Sequence, residues 1–179
     1  MKQTYVPLLR DDSVMLRAIE PQDLEVMSLV ENDTRMWDCI DTTVPYSTFM
    51  LKEYIRHTTC NFYEDKEVRL TIALPHGLAV GFIDLRNYEA KHQRAELGIV
   101  MMPEYQRQGL GKRALGLLVE YASQVLHLHQ IDAYVQNVNQ PALRLFQSSG
   151  FIHTATLPQW TRCRDGWSDV KVFQMLLED

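Results

Sequence analysis

The stretch "MMPEYQRQGLGKRALGLLVEYA", residues 101–122, limits this chain more than any other. An extended run, "RAELGIVMM", enters a polar and basic turn that holds Gly109 and Gly111. Apolar residues at helical spacing follow at once: Ala114, Leu117, Leu118, Tyr121, Ala122 and Val125. A strand that passes through glycines into a helix leaves the first helical amides without partners and lets bare backbone come close to something. "IDAYVQ" then reads as another strand, so a strand–loop–helix–strand unit sits in the middle of the chain.

Four readings compete for the loop. It can be a plain turn. A phosphate loop of the G-x-x-x-x-G-K-[ST] type fails, because Gln106 stands five residues before Gly111 and Arg113 follows Lys112. A dinucleotide fingerprint matches Gly109-Leu110-Gly111-Lys112-Arg113-Ala114. It also needs an acidic residue at the end of the next strand, where Gln136 and Asn137 stand, and too little chain remains for a doubly wound sheet. In the fourth reading, the N–H groups of residues 107–111 form an anion site for a pyrophosphate, and Arg107, Lys112 and Arg113 add positive charge. A pyrophosphate-bearing carrier such as coenzyme A suits that site.

The flanks are mixed α/β. "SVMLRAI" reads as a strand. "EPQDLEVMSLVEND" reads as a helix with Pro21 in its first turn and Leu24, Met27 and Val30 on one face. Ser47 is placed to cap a second helix that carries Glu53, Tyr54 and Ile55. "VRLTIALP", "AVGFIDLRNY" and "RAELGIVMM" form a meander, the first two joined by a turn at Pro75, His76 and Gly77. Beyond the central unit, "QPALRLFQSSG" is a short helix that ends at Gly150. "FIHTATLPQW" is a strand, and Asp165-Gly166 marks a hairpin.

At 179 residues the chain buries one sizeable core and is short for a second, so residues 1–179 are read as a single domain. A net charge of −5 argues against nucleic acid as the main partner and suits a cationic substrate better. Cys39, Cys60 and Cys163 lack disulfide or zinc spacing, which fits a reducing cytoplasm. "MKQTYVPLLRDDSV" has no apolar signal core, and no run of about eighteen uncharged apolar residues occurs, so neither secretion nor membrane insertion is expected.

The strand "AELGIVMMPEY", the loop Gln106-x-x-Gly109-x-Gly111 and the downstream "NVNQPALRLFQSSGF" resemble the acetyl-CoA-binding core of the GCN5-related N-acetyltransferases (GNAT). The likeness is nearest to the branch of ribosomal-protein and spermidine or diamine N-acetyltransferases. It covers residues 8–176 in element order and 80–152 in detail. It implies an α/β (α+β) fold with a mostly antiparallel central sheet of about seven strands and about four helices. It also implies that the strand over 96–102 leaves its neighbour at a bulge, freeing main-chain groups of Gly98, Ile99 and Val100 for pantetheine. One of those N–H groups would polarise the thioester carbonyl. Arg107, Gln108, Gly109, Leu110, Gly111 and Lys112 would hold the pyrophosphate. Asn139 would reach the cofactor, or cap the helix at Gln140-Pro141.

Acetyl transfer to an amine needs a proton acceptor, because a primary alkylamine with a pKa of about 10 arrives protonated. Glu96 matches an acidic residue frequent in the family. It reads either as that base or as a strand-end charge paired with Arg94. The family's usual thiolate acid is a tyrosine at a position held here by Phe146. That leaves Tyr134, Tyr105 or a water to donate, an unassisted thiolate, or a coenzyme A-binding module without catalysis. Glu31, Asp33 and Asp84, with Asp38 and Asp41, are the candidate amine-binding acids, or else solvated charges. Trp37 and Trp160 are read first as core and second as cleft walls, and His127 and His129 as dipole partners of the long helix. The expected reaction is direct attack in a ternary complex, with acetyl-CoA as co-substrate and no metal. The acceptor is a small polyamine or diamine amine, or the N-terminal amine of a ribosomal protein. Assembly into a homo-oligomer is left open.

Overall fold

The structure, a computed structural model, describes residues 9–37, 42–58, 61–163 and 166–177. Asp38, Cys39, Asp41, Cys60 and Asp165 lie outside the described residues. The elements are β1 (Met15–Ala18), α1 (Leu24–Glu31), α2 (Thr48–His57), α3 (Phe62–Asp65), β2 (Val68–Ala73), β3 (Ala79–Glu89) and β4 (Arg94–Met101). They continue with α4 (Leu110–Gln124), β5 (Gln130–Gln136), α5 (Gln140–Ser148), β6 (Ile152–Cys163) and β7 (Gly166–Leu176). The strands form one sheet in the order β1-β2-β3-β4-β5-β7-β6. Among the described strands only β4 and β5 run parallel, because α4 carries the chain back across the sheet between them. The expected meander is present as β2–β3–β4.

The period-two pattern of the strands divides the core between two faces. Leu70, Ile72, Ile83, Leu85, Leu97 and Ile131 lie under α4, which buries Ala114, Leu115, Leu118 and Ala122. On the other face Phe82 packs with Met27 and Val30 of α1 and Leu51 of α2. Ser47 caps α2 by accepting the Met50 N–H at 3.1 Å. Two details depart from the sequence pattern. Val125 is exposed, since α4 ends one residue earlier. His127 and His129 likewise lie beyond the helix they were paired with. The short α3 was not expected; it seats Phe62 against Tyr63 and Tyr88.

A buried polar knot ties β1 to the start of α1. Asp23 accepts two hydrogen bonds from Arg17 (2.6 and 2.7 Å), one from the Thr71 hydroxyl (2.9 Å) and one from the Glu20 N–H (2.9 Å). Burial alone would push this carboxyl up, but Arg17, Glu20 and Thr71 together hold it below the usual carboxylate range. At the sheet's two edges, β1 is four residues long, while β6 is twelve and shifts register twice, between His153 and Ala155 and between Leu157 and Thr161.

Candidate active site

β4 and β5 stay together for three pairs only, Arg94–Gln130, Ala95–Ile131 and Glu96–Asp132. From Leu97 on, β4 remains bonded to β3 while β5 follows β7, and the two strands part. The parting is not the bulge expected from the sequence. The β3–β4 register runs unbroken from Gly81–Met101 to Arg86–Glu96, and its one shift lies between Arg86 and Glu89. The opening arises because each strand is claimed by a different neighbour, which leaves the β4 edge at Gly98, Ile99 and Val100 without a ladder partner on the β5 side. A cavity of about 590 Å³ fills the gap. Its walls are residues 97–100 of β4, 134–136 of β5, and Asn139, Ala142 and Phe146 at the α5 end. Glu31, Arg69, Asp84 and Glu96 line it on the α1 face of the sheet.

The charged end is ordered by register. Arg69, Asp84 and Gly98 are cross-strand neighbours in one row, as are Arg86 and Glu96 in the next. Arg69 donates to Glu31 at 2.5 Å and lies 5.0 Å over the Phe82 ring. Among the described residues Asp84 Oδ1 is buried without a hydrogen-bond partner, and burial pushes the carboxyl above the usual range against the pull of Arg69. Gly98 makes room for it: a Cβ there would stand 2.5 Å from Asp84 Oδ1. Glycine inside a strand is a signal of such close approach.

Glu96 does not pair with Arg94, which bonds Glu89 at 2.6 Å instead. Its Oε1 accepts from Arg86 Nε at 3.0 Å and its Oε2 from Asn87 Nδ2 at 2.9 Å. Asn87, at φ +54°, turns the chain at the β3 irregularity and so delivers that amide. Asp33 binds Arg35 with both oxygens and is not among the lining residues, so the amine-binding role expected of it has no geometric support. Asp132, missed in the sequence, stands opposite Glu96 on β5.

At the loop end, the Gln106 side chain donates to the Met101 carbonyl at 3.0 Å and pins the turn to β4. Arg107 and Gly109 take positive φ, +59° and +80°. Gly109 caps α4 with no side-chain hydrogen bond, and among the described residues nothing accepts from the amides of residues 107–111. Space around Gly109 is open, so its conformation is what calls for glycine. A Cβ on Gly111 would meet Met101, Ile99 and Leu145 at ordinary contact distance. Arg107, Gln108 and Lys112 are exposed at this end and Leu110 is half-buried. Arg113 is paired with Asp11 at 3.1 Å and adds less charge to the loop than expected.

Asn139 does cap α5, accepting the Ala142 N–H at 3.2 Å, while it also lines the cavity. Phe146 is buried edge-on to Phe151 (5.1 Å) and stacked on Phe173 (5.9 Å), and it brings no hydroxyl. Tyr134 lines the cavity, and burial followed by the charge of Asp132 pushes its hydroxyl pKa up. Tyr105 packs against the main core and does not line the cavity. Trp160, read first as core, is 59% exposed on the cavity wall, and the Trp37 indole donates to the Glu31 carbonyl at 2.9 Å. Among the described residues no group of three or more His, Cys, Asp or Glu side chains could hold a metal, and no helix is long and apolar enough to cross a membrane.

A family model described as an acetyltransferase (GNAT) domain matches residues 13–152. The spermidine N(1)-acetyltransferase of Escherichia coli K12 is 31% identical over 144 residues, 78% of this chain and 73% of that protein. The crystal structure of spermidine N-acetyltransferase from Vibrio cholerae in complex with CoA and spermine superposes with a TM-score of 0.83 at 25% identity, covering 93% of this chain and 97% of that one. A dodecameric structure of the Vibrio cholerae enzyme gives a TM-score of 0.78 at 25% identity, covering 93% and 95%.

Proposed function

The chain belongs to the GNAT family of N-acetyltransferases, and from that premise we propose that it moves the acetyl group of acetyl-CoA to a primary amine of a polyamine such as spermidine. The observation that carries the reading is the cavity in the β4–β5 gap, with carboxylates at one end and α5 and Asn139 at the other. Unpartnered amides at residues 107–111, the left-handed Gly109 and the exposed cations Arg107 and Lys112 suit a pyrophosphate. The open β4 edge at Gly98, Ile99 and Val100 suits an extended pantetheine-like chain added as a strand. Acetyl-CoA, when bound, supplies an activated acyl group whose leaving thiol has a pKa of about 8.5.

The chain's own residues do the rest. Glu31, Asp84 and Glu96 draw a polycation to the α1 face and hold its ammonium groups. Asp33 pairs with Arg35 and does not line the cavity, so it is left out of this proposed amine site. With Phe146 in the aromatic core, the thiolate leaves without a side-chain acid at that position. Such help is worth only about 10² to 10⁴ in rate, so its absence is tolerable. We take residues 1–179 as one acetyltransferase domain. It works in a reducing cytoplasm, with Cys163 a free thiol, and assembles as a homo-oligomer as the Vibrio cholerae relative does.

Thiol release from acetyl-CoA tests the reading, with spermidine, spermine, putrescine and an N-terminal peptide amine offered in turn. Spermidine or spermine should give the highest kcat/KM. A peptide turned over faster than every polyamine would move the assignment to a protein N-terminal acetyltransferase.

A further inference from the structure

We propose that Asp132, the cross-strand partner of Glu96, takes the proton released by the acceptor ammonium, and that the proton leaves through a second cavity. The inference rests on the acetyltransferase reading above. The second cavity, about 470 Å³, is lined by residues 87–89, Arg94, Ala95, Glu96, Asp132 and Tyr134. It shares Glu96 and Tyr134 with the first, so these two side chains stand where the reactants' space meets a separate space behind it.

The two carboxyls at that junction are cross-strand partners with opposite equipment. Glu96 accepts from Arg86 on one oxygen and from Asn87 on the other, so both of its oxygens are already engaged by donors. Asp132 Oδ1 is buried with no hydrogen-bond partner among the described residues. The groups that face it are Glu96 and Arg94 from β4, Glu89 from β3 holding Arg94, Arg86 beyond Glu96, Tyr134 on its own strand, and the uncharged Gln174 opposite on β7. Burial first and the charge of Glu96 second raise the Asp132 carboxyl to about 6. A carboxyl in that range accepts a proton and returns it to water near neutral pH, which a fully paired one does poorly.

The balance closes. An ammonium loses two protons on its way to an amide. One goes through water to Asp132 and on to solvent by the second cavity. The other ends on the thiol sulfur as the C–N bond forms and the C–S bond of the acetyl thioester breaks. Asp132 does not line the first cavity, so it acts through water, and Tyr134 and Glu96 orient that water.

The test compares wild type with Asp132→Asn, Asp132→Glu and Glu96→Gln, with a polyamine and acetyl-CoA from pH 5 to 9. Carboxyl titrations by carbon NMR are run on each protein without the thioester. In wild type kcat/KM should fall below a midpoint of about 6, and the NMR titration should hold one carboxyl at that value. Asp132→Asn should lose both the acid limb and the NMR signal, and lower kcat about 100-fold or more. Asp132→Glu should restore most of the rate, with melting curves confirming that each variant folds. An Asp132→Asn enzyme that keeps its rate and its acid limb would overturn the proposal. So would a limb abolished only by Glu96→Gln, or an Asp132 midpoint near 4. A wild type that turns over no amine would sink the acetyltransferase reading and this inference with it, whereas an active wild type with an indifferent Asp132 sinks this inference alone.

Discussion

Asp23 at the β1–α1 junction and the acids at the β4–β5 gap are both withdrawn from water, yet they are finished differently. Asp23 is 1% exposed and accepts four hydrogen bonds, two of them from Arg17. Asp84 and Asp132 each leave a buried oxygen without a partner among the described residues. The first arrangement fixes a charge and thereby a piece of the fold. The second keeps proton affinity high and leaves lone pairs for something that arrives later, at a cost the rest of the structure absorbs.

The sharpest way to break that contrast is Asp23→Ala, which strands the half-buried Arg17 and should cost about 3–5 kcal/mol in urea unfolding, with binding-site chemistry unaffected in the folded fraction. Its charge has a pH signature. The folded carboxyl lies below its unfolded value of 3.8, so its stabilisation is complete above that value and is lost as pH falls through the folded one. Wild type should therefore shed stability on acidification below about pH 4 more steeply than the variant. Next comes Gly98→Ala, which sets a methyl 2.5 Å from Asp84 Oδ1. It should destabilise by about 1–3 kcal/mol and raise the polyamine KM; an unchanged KM would detach Asp84 from amine binding. Smallest is Asp132→Asn in thermal melts. The folded carboxyl is raised from 3.8 to about 6, so its charge opposes folding above pH 6 and the penalty fades as pH falls toward 3.8. The variant should melt slightly higher at pH 8, by under about 1 kcal/mol once solvent screening of a half-buried group is allowed for, and the gain should vanish by pH 4.

Much of this was legible in the sequence because it is local. Residue spacing and turn residues marked the individual strands, the meander and the glycine loop, the count of about seven strands came from the family resemblance, and Ser47 and Asn139 announced the helix starts they do cap. What stayed hidden depends on register across the sheet. "IDAYVQ" reads as a strand with one outward acid, and only the parallel pairing with β4 sets Asp132 against Glu96. The partner of Glu96 was misassigned for the same reason: Arg94 is its neighbour in sequence, but Arg86 is its neighbour across β3 and β4. Trp160 was read first as core by residue type, since nothing in the sequence tells an aromatic on an edge strand from one on a central strand. The short α3 lacks the length for a periodic signal.

The two margins of the sheet carry a consequence for how the molecule tolerates crowding. A bare edge invites a second chain to continue the ladder, which is how fibrils grow. Here β1 offers only four residues, already bridged at Met15 by Arg10, and β6 is broken by two register slips and holds Pro158, which has no N–H to give. Neither margin presents a straight template, so an open seven-stranded sheet is kept from templating insoluble polymer.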